Sequence, residues 1–188
     1  MSIDRQAAAR AIDAFLVAIG RDPAAEPELV GTGARVADAF VDELCSGYAV
    51  DTRALLEANV IDAGSGASVV IARDIPVETV CPHHLMVASG LATVAFAPRA
   101  RLIGIGVVAR LVMAHARRLR LQEEIGEAVA AELAAAIEPA WVGCRLVLSH
   151  GCMTARGGRA HGARVESVAT RGEALDPGLV HRALGVGA

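Results

Sequence analysis

Lysine is absent from this 188-residue chain: all 18 basic residues are arginine, set against 21 acidic ones for a net charge of −3 at pH 7. Without a basic surplus, neither nucleic acid nor an anionic membrane is expected as a partner. With so much alanine and glycine, the missing lysine reads as a compositional bias, under which a cation that function needs is expected as arginine. Aromatic residues are scarce as well, at 3%. A core drawn from 54% hydrophobic residues must therefore be built mainly from Ala, Val, Leu and Ile. No uncharged apolar run of about 18 residues occurs, which speaks against a membrane span. Asp4, Arg5, Arg10 and Asp13 interrupt the apolar N-terminal stretch, unlike the continuous apolar centre of a secretion signal. A cytoplasmic protein is expected. Four cysteines in a chain of this length suit reduced thiols rather than a disulfide framework. No internal repeat and no low-complexity linker is found.

The patterning is helical first and extended later. Ile12, Phe15, Leu16 and Ile19 stand at helical spacing, so a helix is expected over Ile3–Ile19, with Gly20 as its stop. Thr32 opens a second helical pattern that runs to Leu44 and ends at Ser46-Gly47, and a short helix is expected within Asp51–Asn59. Asp62–Gly66 reads as a turn. From Ser68 to Val80 the chain is rich in Val and Ile and is expected to form a strand bent at Pro76, with Leu91–Phe96 returning after a turn at Ser89-Gly90. After a polar turn at Pro98–Arg101, Leu102–Val108 is short, apolar and punctuated by glycine. Helices over Ala109–Arg118 and Leu121–Ile137 follow, then strands over Trp141–His150 and Arg164–Thr170 and a tail helix over Pro177–Leu184. Two hairpins flanking two helices imply an α+β domain, with a four-stranded antiparallel sheet and both helices on one face. The expected organisation is an N-terminal helical region over 1–60 and a catalytic domain over 61–188.

Chemistry concentrates in two short stretches. In Val80-Cys81-Pro82-His83-His84-Leu85, a thiol and an imidazole stand three positions apart, so one turn can aim Cys81 and His84 at a single ion. Ser149-His150-Gly151-Cys152-Met153 adds a second thiol, Cys152. A lone Cys-x-x-His is commonly just a buried thiol beside an imidazole, but the second cluster raises a metal site above that reading. Two sulfurs and one ring nitrogen favour zinc and leave a fourth tetrahedral position for water, the mark of a catalytic rather than a structural site. Water held there is hydroxide-like at neutral pH, and His83 and His150 stand beside the ligands to move protons. Cys45 and Cys144 are expected to be small buried apolar groups.

Around these clusters the sequence resembles GTP cyclohydrolase I. The similarity runs through Asp74-Ile75, Cys81-x-His83-His84-Leu85, Ile103-Gly104, Ala109-Arg110, Arg117-Arg118-Leu119, Leu121-Gln122-Glu123 and His150-x-Cys152-Met153 with Ala155-Arg156-Gly157. Upstream it includes Thr32–Val36, Glu43-Leu44 and Ser46-Gly47-Tyr48. The resemblance implies a tunnelling fold, in which sheets from several subunits join edge to edge into an oligomeric barrel, and hence a ring-stacked, decamer-like homo-oligomer. It implies Cys81, His84 and Cys152 as zinc ligands and His83 and His150 as catalytic histidines. By the same resemblance, Gln122 and Glu123 read a guanine edge, while Arg110, Arg156 and, from a neighbouring subunit, Arg35 hold the triphosphate. Without it, Gln122-Glu123 would be an ordinary acidic helix start and each arginine a surface charge.

The departures are as informative as the matches. Val107 and Asp38 stand where the family places triphosphate-binding lysines, Gly106 replaces a serine, Pro82 replaces a glutamate, and a Thr/Ser-rich strand is reduced to Glu166-Ser167-Val168-Ala169-Thr170. Two lost cations and one gained carboxylate change the local charge by about three units, worth on the order of 1 kcal/mol per charge when screened. Three functions follow. One is zinc-dependent hydrolysis of the imidazole ring of a guanine-type or pterin-like small molecule lacking the triphosphate. Another is GTP cyclohydrolase I activity itself, making 7,8-dihydroneopterin triphosphate and formate from GTP. The third is a non-catalytic zinc-binding role, against which the intact His83 and His150 count.

Overall fold

The computed structural model describes residues 3–64, 68–174 and 177–187. The chain divides into two compact units, Met1–Ser46 and Gly47–Ala188.

In the first unit, α1 (Arg5–Ala18) starts at Asp4, whose carboxylate accepts the Ala7 N–H at 2.8 Å. This satisfies one of the orphan donors of a helix start. α2 (Thr32–Asp38) meets α1 where the Gly33 N–H donates to Asp13 at 3.1 Å. Only glycine fits there, since a Cβ would lie 2.4 Å from the Ala9 carbonyl. The expected single helix to Leu44 instead widens into a π-helical turn over Ala39–Leu44, closed by the Cys45 N–H on the Phe40 carbonyl at 2.7 Å. Asp38 pairs with Arg5 at 2.9 Å, and Arg5 also grips Asp42. Phe15, Val17 and Ile19 remain exposed.

The second unit holds α3 (Thr52–Glu57), β1 (Val60–Asp62), β2 (Val70–Val80), β3 (Val87–Ala97), β4 (Arg101–Ile103), α4 (Ile105–Ala116), α5 (Gln122–Ile137), β5 (Trp141–His150), α6 (Gly151–Thr154), β6 (Val165–Gly172) and α7 (Pro177–Leu184). β2, β3, β5 and β6 pair antiparallel in that order. β1 and β4 form a separate two-stranded ribbon, too short to leave an alternation in the sequence. The even-numbered Ala92, Val94 and Phe96 of β3 and Val142, Cys144, Leu146 and Leu148 of β5 are fully buried. They pack with Val108, Leu111 and Val112 of α4 and Ile125, Val129, Leu133 and Ile137 of α5 in one core. Strand period two meets helix period 3.6 here, and both helices lie on one face of the sheet, as expected. The odd-numbered Ala95 and Trp141 point the other way, and α7 covers them with Val180, Ala183 and Leu184. Further along that face Val87, Leu91 and Val168 are exposed.

Two expectations about the strands are corrected. Ser89-Gly90 is not a turn but lies inside β3, where Gly90 faces Leu148 and a Cβ would come within 2.1 Å of the Val147 carbonyl. Glycine marks a close approach of backbones rather than a reversal. The irregularity in β2 falls between Ala72 and Ile75, with Asp74 at φ 55°, and not at Pro76. Pro76 pairs with Leu91 on an edge strand, where a missing N–H is tolerated. Leu102–Val108 divides into the end of β4 and the start of α4. Of the turn expected over Asp62–Gly66, Ser65 and Gly66 lie outside the described residues. Among the described residues, no helix is long and apolar enough to cross a membrane.

His115 is a buried ionisable ring, 1% exposed, with Nε2 3.1 Å from a poorly aligned Glu132 Oε1 and Nδ1 3.1 Å from Arg120. Burial holds its pKa below the usual 6.5, outweighing the attraction of Glu132 and aided by Arg118 and Arg120. The folded chain thus keeps this ring neutral while the unfolded chain protonates it below about 6.5, so stability is present above that pH and lost as pH falls through it. Urea unfolding between pH 7.5 and 5.5 should show a decline that His115→Phe flattens, by at most about 1.4 kcal/mol per pH unit for one proton. An unchanged slope in the variant would remove His115 from the account.

Candidate active site

Two segments far apart in sequence meet because of strand register. β2 ends at Val80 and turns over residues 81–86, closed by the Cys81 N–H on the Met86 carbonyl at 3.0 Å and the Leu85 N–H on the Cys81 carbonyl at 2.9 Å. Leu85 takes φ 52° to complete this turn. The turn sets Cys81 Sγ 3.8 Å from His84 Nδ1. β5 ends opposite it, because Ala88 pairs with His150. α6 begins at once, and Gly151 lets it approach: a Cβ there would lie 2.8 Å from the Val87 carbonyl. Cys152 thereby joins the turn, and one ligand atom from each of Cys81, His84 and Cys152 lies within 4.8 Å of the other two.

Both cysteines are half-buried and His84 is exposed. The Cys152 thiol is pushed up, first by burial and then by Cys81 beside it. Two thiolates this close repel, and a divalent cation between them reverses that penalty. Thiolate and imidazole donors at this separation fit zinc. Arg156, just past α6, places a guanidinium nitrogen 3.1 Å from His84 Nε2.

Beside the cluster lies a cavity of about 220 Å³ lined by Thr79, Cys81, His83, Arg120, Gln122, Glu123, His150 and Cys152, among others. The segment leading into it is tied down: Leu119 bridges Val80 and donates its N–H to the Tyr48 hydroxyl at 3.1 Å, and Arg118 donates to the Gly47 carbonyl at 3.1 Å. α5 then starts at Gln122, with Glu124 accepting the Leu121 N–H at 3.0 Å. Glu123 is exposed in the first turn, where the helix dipole favours a carboxylate. Gln122 is 3% exposed, and its amide nitrogen reaches the Leu146 and Val165 carbonyls at 3.1 and 3.0 Å and Ser167 Oγ at 3.1 Å. Its Oε1 lies 2.8 Å from His150 Nε2.

Of the residues singled out in the sequence, the fold therefore gathers Cys81, His83, His84, Gln122, Glu123, His150, Cys152 and Arg156. Arg110 is exposed on α4 and is not among the cavity's lining residues. Arg35 lies in the first unit, its guanidinium folded onto the Val30 carbonyl and Thr32 Oγ1, each at 2.9 Å. Val107 is 7% exposed and belongs to the core cluster. Gly106 faces open space.

Two cavity residues escaped the sequence reading. Arg120 falls between two of the matched motifs and belongs to neither. Thr79 was absorbed into the strand, although a polar residue on the inward phase between Val77 and Val80 was a usable signal. Thr79 is 2% exposed and its hydroxyl has no hydrogen-bond partner among the described residues.

The GTP cyclohydrolase I family model matches residues 8–183. Among curated proteins, the chain is 37% identical over 174 residues to GTP cyclohydrolase 1 of Leifsonia xyli subsp. xyli, covering 93% of this chain and 90% of that one. It is 33% identical over 171 residues to GTP cyclohydrolase 1 of Caldanaerobacter subterraneus subsp. tengcongensis, covering 90% and 89%. Among solved structures, the apo form of the archaeosine synthase QueF-Like aligns with a TM-score of 0.47 at 24% identity, over 58% of this chain and 99% of that one.

A buried hydroxyl without a partner costs about 1–3 kcal/mol. Thr79→Val, which keeps the shape and removes that oxygen, should leave the melting temperature of the ligand-free protein unchanged or higher in a calorimetric scan. A lowered melting temperature would mean that the hydroxyl is satisfied.

Proposed function

The chain belongs to the GTP cyclohydrolase I family, and we propose that it is a zinc-dependent cyclohydrolase that opens the imidazole ring of a guanine-type purine. The observation that carries this reading is the meeting of Cys81, His84 and Cys152 within 4.8 Å at the edge of a cavity that also holds His83, His150 and Glu123. Cys81, His84 and Cys152 would hold the metal. When bound, zinc supplies the Lewis acidity that makes water reactive at neutral pH.

The chain's own groups do the rest. The carboxylate of Glu123 accepts hydrogen bonds from the ring N–H and 2-amino group of the base. That leaves the imidazole half of the purine toward the histidines. His150 delivers a proton to the imidazole nitrogen that departs as its bond to C8 breaks, and His83 takes a proton from the attacking water. C8 leaves as formate, and where the substrate carries a ribose, the diamine that remains can condense with the opened sugar, losing water, to close to a dihydropterin. Arg156 and Arg120 offer an anionic substituent two guanidinium groups near the cavity.

The preferred substrate carries fewer phosphates than GTP. Val107 sits in the core, and Asp38 presents a carboxylate held by Arg5, so neither offers a cation to a triphosphate tail. GTP itself remains the second reading, favoured by relatives named GTP cyclohydrolase 1 that match along about nine-tenths of their length. Copies of the chain assemble edge to edge in this proposal, through the open edges of β2 and β6 and the exposed Val87, Leu91 and Val168.

Metal analysis tests the centre. Wild-type protein should carry about one zinc per chain and lose it as pH falls, because the thiols must be deprotonated to bind. Cys152→Ala should lose zinc at neutral pH. His150→Ala should keep zinc but release formate about 10²- to 10⁴-fold more slowly, the usual weight of a proton-transfer group. Wild-type protein without zinc, or full occupancy in Cys152→Ala, would remove the assignment.

Incubating the zinc-loaded protein separately with GTP, GMP, guanosine and guanine, while following purine absorbance and formate, tests the substrate. GMP or guanosine should turn over best. Turnover of GTP at kcat/KM of about 10⁴ M⁻¹s⁻¹ or more, clearly ahead of GMP and guanosine, would establish the second reading instead.

A further inference from the structure

Gln122 was expected to share the reading of a guanine edge with Glu123, yet its amide is spent inside the protein. The nitrogen faces three acceptors, the Leu146 and Val165 carbonyls and Ser167 Oγ, at 3.0 to 3.1 Å. An amide nitrogen carries two hydrogens, so none is left for a ligand. The acceptors sit on β5 and β6, and the side chain is 3% exposed. Gln122 thus joins the start of α5 to both strands and has no freedom to swing toward a substrate.

The same bonds decide which end of the amide is which. A carbonyl oxygen only accepts, so the nitrogen must face Leu146 and Val165 and the oxygen must face His150. At 2.8 Å from Oε1, His150 Nε2 must then be the donor. A neutral imidazole that carries its hydrogen on Nε2 has its lone pair on Nδ1. Two backbone carbonyls of the sheet therefore set the tautomer of a histidine that neither of them touches.

We propose that Gln122 is a positioning residue, whose sheet-anchored amide holds His150 as the Nε2–H tautomer and leaves Nδ1 as the nitrogen that exchanges a proton with the substrate. Recognition of the guanine edge then rests with Glu123. The inference builds on the proposed role of His150 in the hydrolysis, but the tautomer itself can be measured without any turnover.

Two measurements test it. In protein labelled with ¹⁵N-histidine, with the His150 signals identified by their loss in His150→Ala, the neutral wild-type ring should show Nε2 as a protonated, pyrrole-type nitrogen and Nδ1 as a pyridine-type one. The reverse pattern would overturn the proposal whatever the enzyme does. In Gln122→Met, which keeps length but offers no hydrogen bond, kcat should fall about 10- to 100-fold, as expected when a reacting group is misplaced by about 1 Å. The KM for the best purine should change less than about threefold, and zinc content should stay at the wild-type level. A large rise in KM with kcat preserved would return Gln122 to substrate reading. If the variant does not fold, the wild-type nitrogen spectrum decides. If no purine is turned over by wild-type protein, the proposed function fails while the tautomer result still stands or falls separately.

Discussion

The pairing of β3 with β5 is the constraint on which the site depends. Its register sets Ala88 opposite His150, so the strand that leaves the Cys81 turn runs beside the strand that delivers Cys152. Side chains alternate along a strand, and a slip of one residue would turn Val142, Cys144, Leu146 and Leu148 out of the core and carry Cys152 away from Cys81. The four core residues therefore hold Cys81, His84 and Cys152 in alignment without touching them. Two glycines let the backbones come close enough: Gly90 against the Val147 carbonyl within β3–β5, and Gly151 against the Val87 carbonyl at its end.

The site divides into a rigid side and a wet side. Gln122, Thr79 and the buried ends of β5 and β6 form the rigid side, where the Gln122 amide is spent on the protein and the Thr79 hydroxyl is the buried side-chain atom left without a partner among the described residues. His84, Glu123 and Arg156 form the wet side. Hydrogen bonds on the rigid side act in a low dielectric and hold their geometry, whereas charges on the wet side are screened and mobile. Proton transfer needs the first condition, and capture of a small polar molecule needs the second.

The sequence was most legible where function is local. Cys81 and His84 share one turn, and His150 and Cys152 share one strand end, so spacing alone exposed both halves of the cluster. Long periodic segments were equally clear, and Trp141–His150 and Pro177–Leu184 match the observed elements end to end. Misreadings came where one residue type serves two purposes. Gly90 was taken for a turn because glycine signals both reversal and close contact, and Pro76 for a bend although an edge strand absorbs it. The β1–β4 ribbon, three residues on each side, is too short for any pattern to rise above its neighbours. Apart from the resemblance, Gln122 reads in the sequence only as a polar residue at a helix start, because its partners lie on β5 and β6. Val107 showed as a lost cation, and only the fold reveals that the position is core.

Cys144 lies at the middle of this arrangement, fully buried between β3 and β6, with Val94 on one side and Ala169 on the other. Burial pushes its thiol up to about 12, and no thiolate forms there while the sheet is closed. Its side chain packs in the core between the sheet and α4 and α5, so an alkylating reagent meets it only when that core opens, an event far costlier than the fraying of a loop. The chain thus carries its own chemical clock. The rate at which Cys144 is modified counts openings of the very core whose register brings Cys81 and Cys152 together.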